Sequence, residues 1–197
     1  MPVAELTAPV IEMLSPAQYL LQERLAETKN QYIDGELLPM PGVSMEHDKI
    51  VGDIFGELRQ ALRGTRCDIF TSDMRVQLTA SRYVYPDVTV VCGTPVFTDS
   101  EVDTLTNPAA IFEVLSDSTS NFDLGEKARL YRQRGSLQTL CLVAQDHPWV
   151  EVWTREESTT WRVREFTGLD TTAELPALAA SLPLTEIYRR VTFTAAE

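Results

Sequence analysis

Three side chains have the types and placement to share one chemistry: the carboxylates of Asp87 and Glu113 and the ammonium of Lys127. Pro86-Asp87 falls inside a strand-like run. A residue without an N–H denies the ladder one bond, so the strand is expected to kink there or run at an edge and turn Asp87 toward a cleft. Glu113 is the one charge in Ile111-Phe112-Glu113-Val114-Leu115. Strand alternation puts Ile111 and Leu115 on its own face, and a carboxylate on an apolar face needs a partner or a metal. Lys127 sits on a predicted helix with Asp123 and Tyr131 four residues to either side, on the same face. Singly, each has a plainer reading: a solvent-facing bend, the exposed face of a strand, a surface ion pair. Together, two carboxylates on adjacent strands and a nearby ammonium meet the needs of metal-assisted phosphodiester hydrolysis. The carboxylates are hard oxygen ligands for Mg²⁺, the metal polarises a phosphoryl oxygen and lowers the pKa of its water, and the Lys stabilises developing charge.

The elements that must position these residues can be read in order. Ser15-Pro16-Ala17-Gln18 opens a helix, with Ser as N-cap, Pro at the first position and Gln reaching back to the cap; Leu20, Leu21 and Leu25 form its expected stripe, and the helix is expected to end near Asn30. Asp34-Gly35 between apolar pairs predicts a hairpin. Ile50, Val51, Ile54, Leu58, Ala61 and Leu62 recur at helical spacing from Ser44 to a stop at Gly64. Strand-like runs follow at 67–71, 74–78, 83–92 and 109–115, suggesting an open sheet, then a helix over about 121–134 and a buried strand over 137–144. A hairpin is expected over 149–154 and 160–166, and a closing helical segment over 183–190. No internal repeat or long linker divides the chain, so one domain over 14–191 is expected, with an arm at 1–13 and a tail at 192–197.

Order and spacing carry a resemblance. Tyr32-Ile33-Asp34-Gly35-Glu36, then Gly42-Val43-Ser44 with His47, then Tyr85-Pro86-Asp87-Val88, then Glu113-Val114-Leu115-Ser116 with Ser118-Thr119, Asp123, Lys127 and Tyr131 together resemble the Uma-two-type family of restriction endonucleases, a branch of the PD-(D/E)XK nuclease superfamily. The resemblance runs from about Leu14 to Val191 and implies an α/β (α+β) restriction-endonuclease-like fold. Its αβββαβ core has a mixed sheet flanked by helices, an N-terminal helix-hairpin and a C-terminal hairpin. It implies Asp87 and Glu113 as Mg²⁺ ligands, with Mn²⁺ a substitute and a backbone carbonyl beside Glu113 completing the shell. The superfamily's Glu-x-Lys would place a Lys at 115, where this chain has Leu115; the matching Lys is Lys127, on the following helix. His47 matches a recurrent family position that orients water or phosphate, and its plainer reading is a satisfied structural histidine.

Composition sets the limits. In 197 residues, 44% hydrophobic and 23% charged, a sizeable core can form without disulfide or metal, and disordered, collagenous and coiled-coil classes are excluded. The net charge is −12, which repels nucleic acid unless basic residues gather on one face. Local groups do exist: Lys127, Arg129, Arg132 and Arg134 on the second core helix, with Arg129 and Arg132 the expected nucleic-acid contacts, and Arg59, Arg63 and Arg66 where the first core helix ends. Cys67, Cys92 and Cys141 are odd in number and far apart, which predicts three buried thiols in a reducing compartment and no zinc site. With neither a signal-like N-terminus nor an apolar span, a cytoplasmic location is expected. No Gly-x-Ser-x-Gly, Cys–His pair or Gly-rich phosphate loop supports acyl transfer or P-loop chemistry. The leading expectation is a Mg²⁺-dependent endonuclease acting on DNA, with a two-fold dimer as its assembly. Two others compete: a nuclease-fold module that binds nucleic acid or a protein partner, and a hydrolase of small phosphate esters.

Overall fold

The computed structural model describes residues 13–40, 42–115, 125 and 128–193. The first helix, α1 (Pro16–Glu23), has the expected capping box, in which the Gln18 N–H donates to Ser15 Oγ and the Ser15 N–H to Gln18 Oε1. It is shorter than expected, and its buried face differs: Leu21 and Leu25 are exposed while Tyr19 and Glu23 are buried. Aromatic stacking decides this. Tyr19 packs on Tyr32 and Tyr83 with ring centroids 4.9 and 5.4 Å apart, and rings of that size outweigh a leucine stripe. The hairpin β1 (Asn30–Ile33) and β2 (Glu36–Pro39) turns at Asp34 and Gly35, with φ of 50° and 104°.

Helix α2 (Met45–Ala61) is capped by the Ser44 side chain and buries Ile50, Ile54 and Leu58 along one stripe, each worth about 1.5–3 kcal/mol of apolar transfer. Then come β3 (Cys67–Thr71), β4 (Arg75–Thr79), β5 (Arg82–Val84), β6 (Val88–Cys92), β7 (Thr104–Leu105) and β8 (Ala110–Leu115). The next helix, α3, spans Ala128–Arg132; most of the expected helical stretch before it lies outside the described residues. Six buried residues form β9 (Thr139–Ala144), and the expected late hairpin is β10 (Trp149–Arg155) with β11 (Trp161–Thr167). A short hairpin, β12 (Thr172–Leu175) and β13 (Ala180–Pro183), precedes α4 (Leu184–Ile187).

The strands form a six-stranded sheet in the order β11-β10-β9-β8-β6-β3, a five-stranded sheet in the order β2-β1-β5-β4-β7, and the β12-β13 ribbon. Helix α2, strands β3, β6 and β8, helix α3 and strand β9 reproduce the αβββαβ core in a mixed sheet, since β8 and β9 run parallel and the other core pairs antiparallel. One face of the six-stranded sheet packs Val88, Val90, Phe112 and Val143 against α2 and α4; the other packs Val91, Ile111, Leu115 and Leu142 against β4, β5 and α3.

The expectation of three buried thiols is corrected. Cys67 and Cys92 face each other across β3 and β6, Cα atoms 4.0 Å apart, and form a disulfide; Cys141 alone is a buried free thiol. A sequence separation of 25 does not advertise a contact that only strand register creates. Paired cysteines do not point to a reducing compartment. Among the described residues, no helix is long and apolar enough to cross a membrane.

Candidate active site

Strands β3 and β4 run into each other, as do β5 and β6, and the two runs pair as one long antiparallel ribbon. It breaks at 72–74 opposite 85–87, where it leaves the six-stranded sheet for the five-stranded one. Pro86 lies in that break, as expected of a residue that cannot donate to a ladder, and the predicted 83–92 strand is split there. Asp87 follows at the bend. Its Oδ2 accepts the N–H of Val114 at 2.8 Å, which fixes the carboxylate against β8.

Strand register completes the pair. Val88 is opposite Phe112, so Asp87 and Glu113 are neighbours at the edge of the kink. Glu113 is 4% exposed, on the same sheet face as Ile111 and Leu115, and its Oε1 accepts the Tyr131 hydroxyl from α3. Glu113 is, as strand alternation predicts, a carboxylate on an apolar face, and it has a designated partner. His47 arrives from the opposite layer. It is the third residue of α2, its N–H donates to the Ser44 cap at 3.1 Å, and its Nε2 stands 3.4 Å from Asp87 Oδ2. Burial works against the charged imidazole, but Asp87, and Glu113 beyond it, outweigh that and raise its pKa above the ordinary value. Its Nδ1 is buried with no hydrogen-bond partner among the described residues.

The structure therefore brings Asp87, Glu113 and His47 together. Lys127 and Asp123 lie outside the described residues. Arg129 is exposed on α3, whereas Arg132 is half-buried, with its guanidinium 4.3 Å from the centre of the Trp153 ring and its Nε donating to Ala128 O. Arg134 is committed to the Thr106 carbonyl. Arg59 and Arg63 line a pocket at the far end of α2, about 18 Å or more of helix from His47, and do not share the site. Two site groups escaped the sequence reading. The Val114 N–H is a backbone group and has no signature in residue type. Tyr131 had one, since it stands four residues from Lys127 on a helix face, but nothing in the sequence said which carboxylate its hydroxyl would reach.

Among the described residues no group of three or more His, Cys, Asp or Glu is placed to hold a metal ion. A pair of carboxylates still suits Mg²⁺, which dehydrates reluctantly, keeps several waters and binds through one or two carboxylates; it does not suit the closed N/S shells of zinc.

This geometry belongs to a class, a mixed αβββαβ sheet with two carboxylates at the kinked end of its central strands. Residues 16–185 match the Uma2 family, described as "Putative restriction endonuclease". Two proteins of Synechocystis sp. strain PCC 6803 are similar over most of their length. "Uncharacterized protein sll1609" is 35% identical over 80% of this chain and 89% of its own; "Uncharacterized protein slr1290" is 30% identical over 91% and 94%. A crystal structure described as a putative nuclease belonging to DUF820, from Anabaena variabilis ATCC 29413, shares the fold with a TM-score of 0.69 at 18% identity, covering 86% of this chain and 97% of that one. The chain belongs to the Uma2 family.

Proposed function

We propose that this chain is a Mg²⁺-dependent endonuclease that hydrolyses phosphodiester bonds of DNA, with Asp87 and Glu113 holding the cation and Mn²⁺ able to replace it. The observation that carries the reading is the fixed pair of carboxylates: Asp87 held by the Val114 N–H directly beside Glu113, which is itself held by Tyr131. When bound there, the cation supplies a Lewis acid for a phosphoryl oxygen and acidifies water. The remaining work falls to the chain. Val114 and Tyr131 fix the two carboxylates before substrate arrives, so no reorganisation is needed at the moment of reaction. His47 steadies Asp87 from the α2 side and, as imidazolium, adds positive charge where an anionic substrate approaches. Lys127 supports the nucleophile or the charge that develops on the phosphoryl group, Arg129 and Arg132 meet the nucleic-acid backbone, and a two-fold pair of chains would address both strands.

Nicking of supercoiled plasmid in Mg²⁺ or Mn²⁺ tests this, with Asp87→Ala, Glu113→Ala and Lys127→Ala prepared identically. Cleavage by the parent alone is the expected result; parent and variants cleaving equally would overturn it. The net charge of −12 favours a second reading, a nuclease-fold module that acts by binding. In that case the parent is as silent as its variants, and complexes with a protein partner lack the steep salt dependence of polyanion binding.

A further inference from the structure

Lys29, between α1 and β1, reaches the kink from outside the αβββαβ core. Its Nζ donates to the Ser72 carbonyl at 3.0 Å and to Asp73 Oδ1 at 2.6 Å, and stands 5.7 Å from the centre of the Tyr85 ring. These contacts lie on both halves of the break that carries Asp87. Thr71, the residue before Ser72, pairs with Val88, the residue after Asp87, and Tyr85 precedes Asp87 by two residues. The ammonium thus stands at the β3–β6 end of the kink, and α3, which carries Arg129 and Arg132, packs on β9.

Its present partners do not account for it. The Asp73 side chain is 85% exposed, so that ion pair is open to water and salt and worth about 0–1 kcal/mol. The Lys29 side chain is itself 39% exposed, and the two acceptors it reaches use two of the ammonium's three donors. A site built from two carboxylates in a chain of net charge −12 also needs cations close by if a polyanion is to approach it.

We propose that Lys29 is a substrate-binding residue of this site, its ammonium taking a DNA backbone phosphate next to the one that reaches Asp87 and Glu113. The inference rests on the nuclease reading above. It places the bound strand across the kink, from α3 at one side to the α1–β1 loop at the other, and makes the N-terminal helix-hairpin part of the substrate surface.

The test is binding of a fluorescently labelled random-sequence 20-base-pair DNA duplex, followed by anisotropy in Ca²⁺ over about 50–200 mM salt, the range in which phosphate contacts are most visible. Lys29→Met is expected to weaken binding several-fold and to reduce the slope of log affinity against log salt by about one, the share of a single phosphate contact. Lys29→Arg keeps the charge and should restore most of the affinity and slope. Thermal midpoints, and the stabilisation produced by Mg²⁺ without DNA, should match the parent in both. If Lys29→Met keeps the parent's affinity and slope, the inference falls and the nuclease reading stands. If Lys29→Met loses its stabilisation by Mg²⁺, Lys29 is a staple of the kink and the inference is wrong. A parent that shows no salt-dependent binding at all overturns both.

Discussion

Two buried ionic groups lie on either side of the kink, and they are built on opposite principles. On the five-stranded side, Arg75 is 3% exposed and satisfied in every direction: Nε to Thr104 Oγ1, Nη1 to the Tyr85 hydroxyl, Nη2 to Asp103, with the rings of Tyr19 and Tyr85 packed against its plane. Glu23 closes the network, accepting from the Tyr85 hydroxyl and the Asn30 N–H, and Arg24 adds a forked pair to Asp103. On the six-stranded side, the described part of the site gathers two carboxylates around one imidazole and leaves His47 Nδ1 without a partner. Burial with full compensation serves architecture. Among the described residues, the second group differs in leaving a buried imidazole nitrogen without a hydrogen-bond partner.

The largest expected effect breaks this contrast at the site. Asp87→Ala or Glu113→Ala should lower Mg²⁺-stimulated cleavage by about 10³-fold, the kinetic equivalent of several kcal/mol of transition-state stabilisation, while the cost to stability stays at about 1–3 kcal/mol, that of a lost buried hydrogen-bond partner. Arg75→Met should do the reverse. Asp103 keeps its forked pair with Arg24, but the buried Tyr85 hydroxyl and Thr104 Oγ1 lose their guanidinium donor and the buried Glu23 its nearby cation, at about 3 kcal/mol in denaturant unfolding, with cleavage per folded molecule retained.

Ligand linkage gives the next effect. Mg²⁺ at 100 times its dissociation constant should stabilise the parent by about 2.7 kcal/mol and Asp87→Ala hardly at all, read from melting curves with and without EDTA.

The smallest effect sharpens the comparison through the signs of two pH dependences, measured without divalent cations. Burial works to raise the pKa of Asp103, but Arg24, Thr104 and Arg75 outweigh it and hold the carboxyl well below its ordinary value. Its contribution is present above about pH 4 and is lost as pH falls through the folded-state value. The raised pKa of His47 acts in the other direction: its contribution is complete below about pH 6.5 and is lost as pH rises through the folded-state value. Asp103→Asn should flatten the acid limb of stability against pH and His47→Gln the neutral-to-alkaline limb; an exchange of those assignments would refute the contrast.

What the sequence made legible follows the reach of each signal. The Ser15 capping box, the Asp34-Gly35 turn and the helix from Ser44 are set within a few residues, and all three form as read. Pro86 announced the kink because a missing N–H has the same consequence in any sheet. Glu113 was legible because alternation assigns faces without knowledge of partners. What depended on register was not legible. The Cys67–Cys92 pairing, the parallel match of β4 with β7, and the approach of the Val114 N–H to Asp87 come from strands meeting across long separations. The β12–β13 hairpin was missed for a different reason: its Leu, Ala and Pro content has weak strand preference, and packing against α2 supplies what propensity does not. The leucine stripe of α1 failed because Tyr19 found two aromatic neighbours that are distant in sequence.

The disulfide has a consequence for anyone who handles the protein. Its 25-residue loop encloses the whole excursion from β3 through the β4–β5 hairpin and back along β6, with Asp87 inside it. In a chain-entropy picture, closing a loop of that length restricts the unfolded ensemble by about 3.5 kcal/mol. The reductant in a buffer is therefore a silent experimental variable: samples purified with and without thiol are two populations with one sequence, one set of site residues and different melting curves.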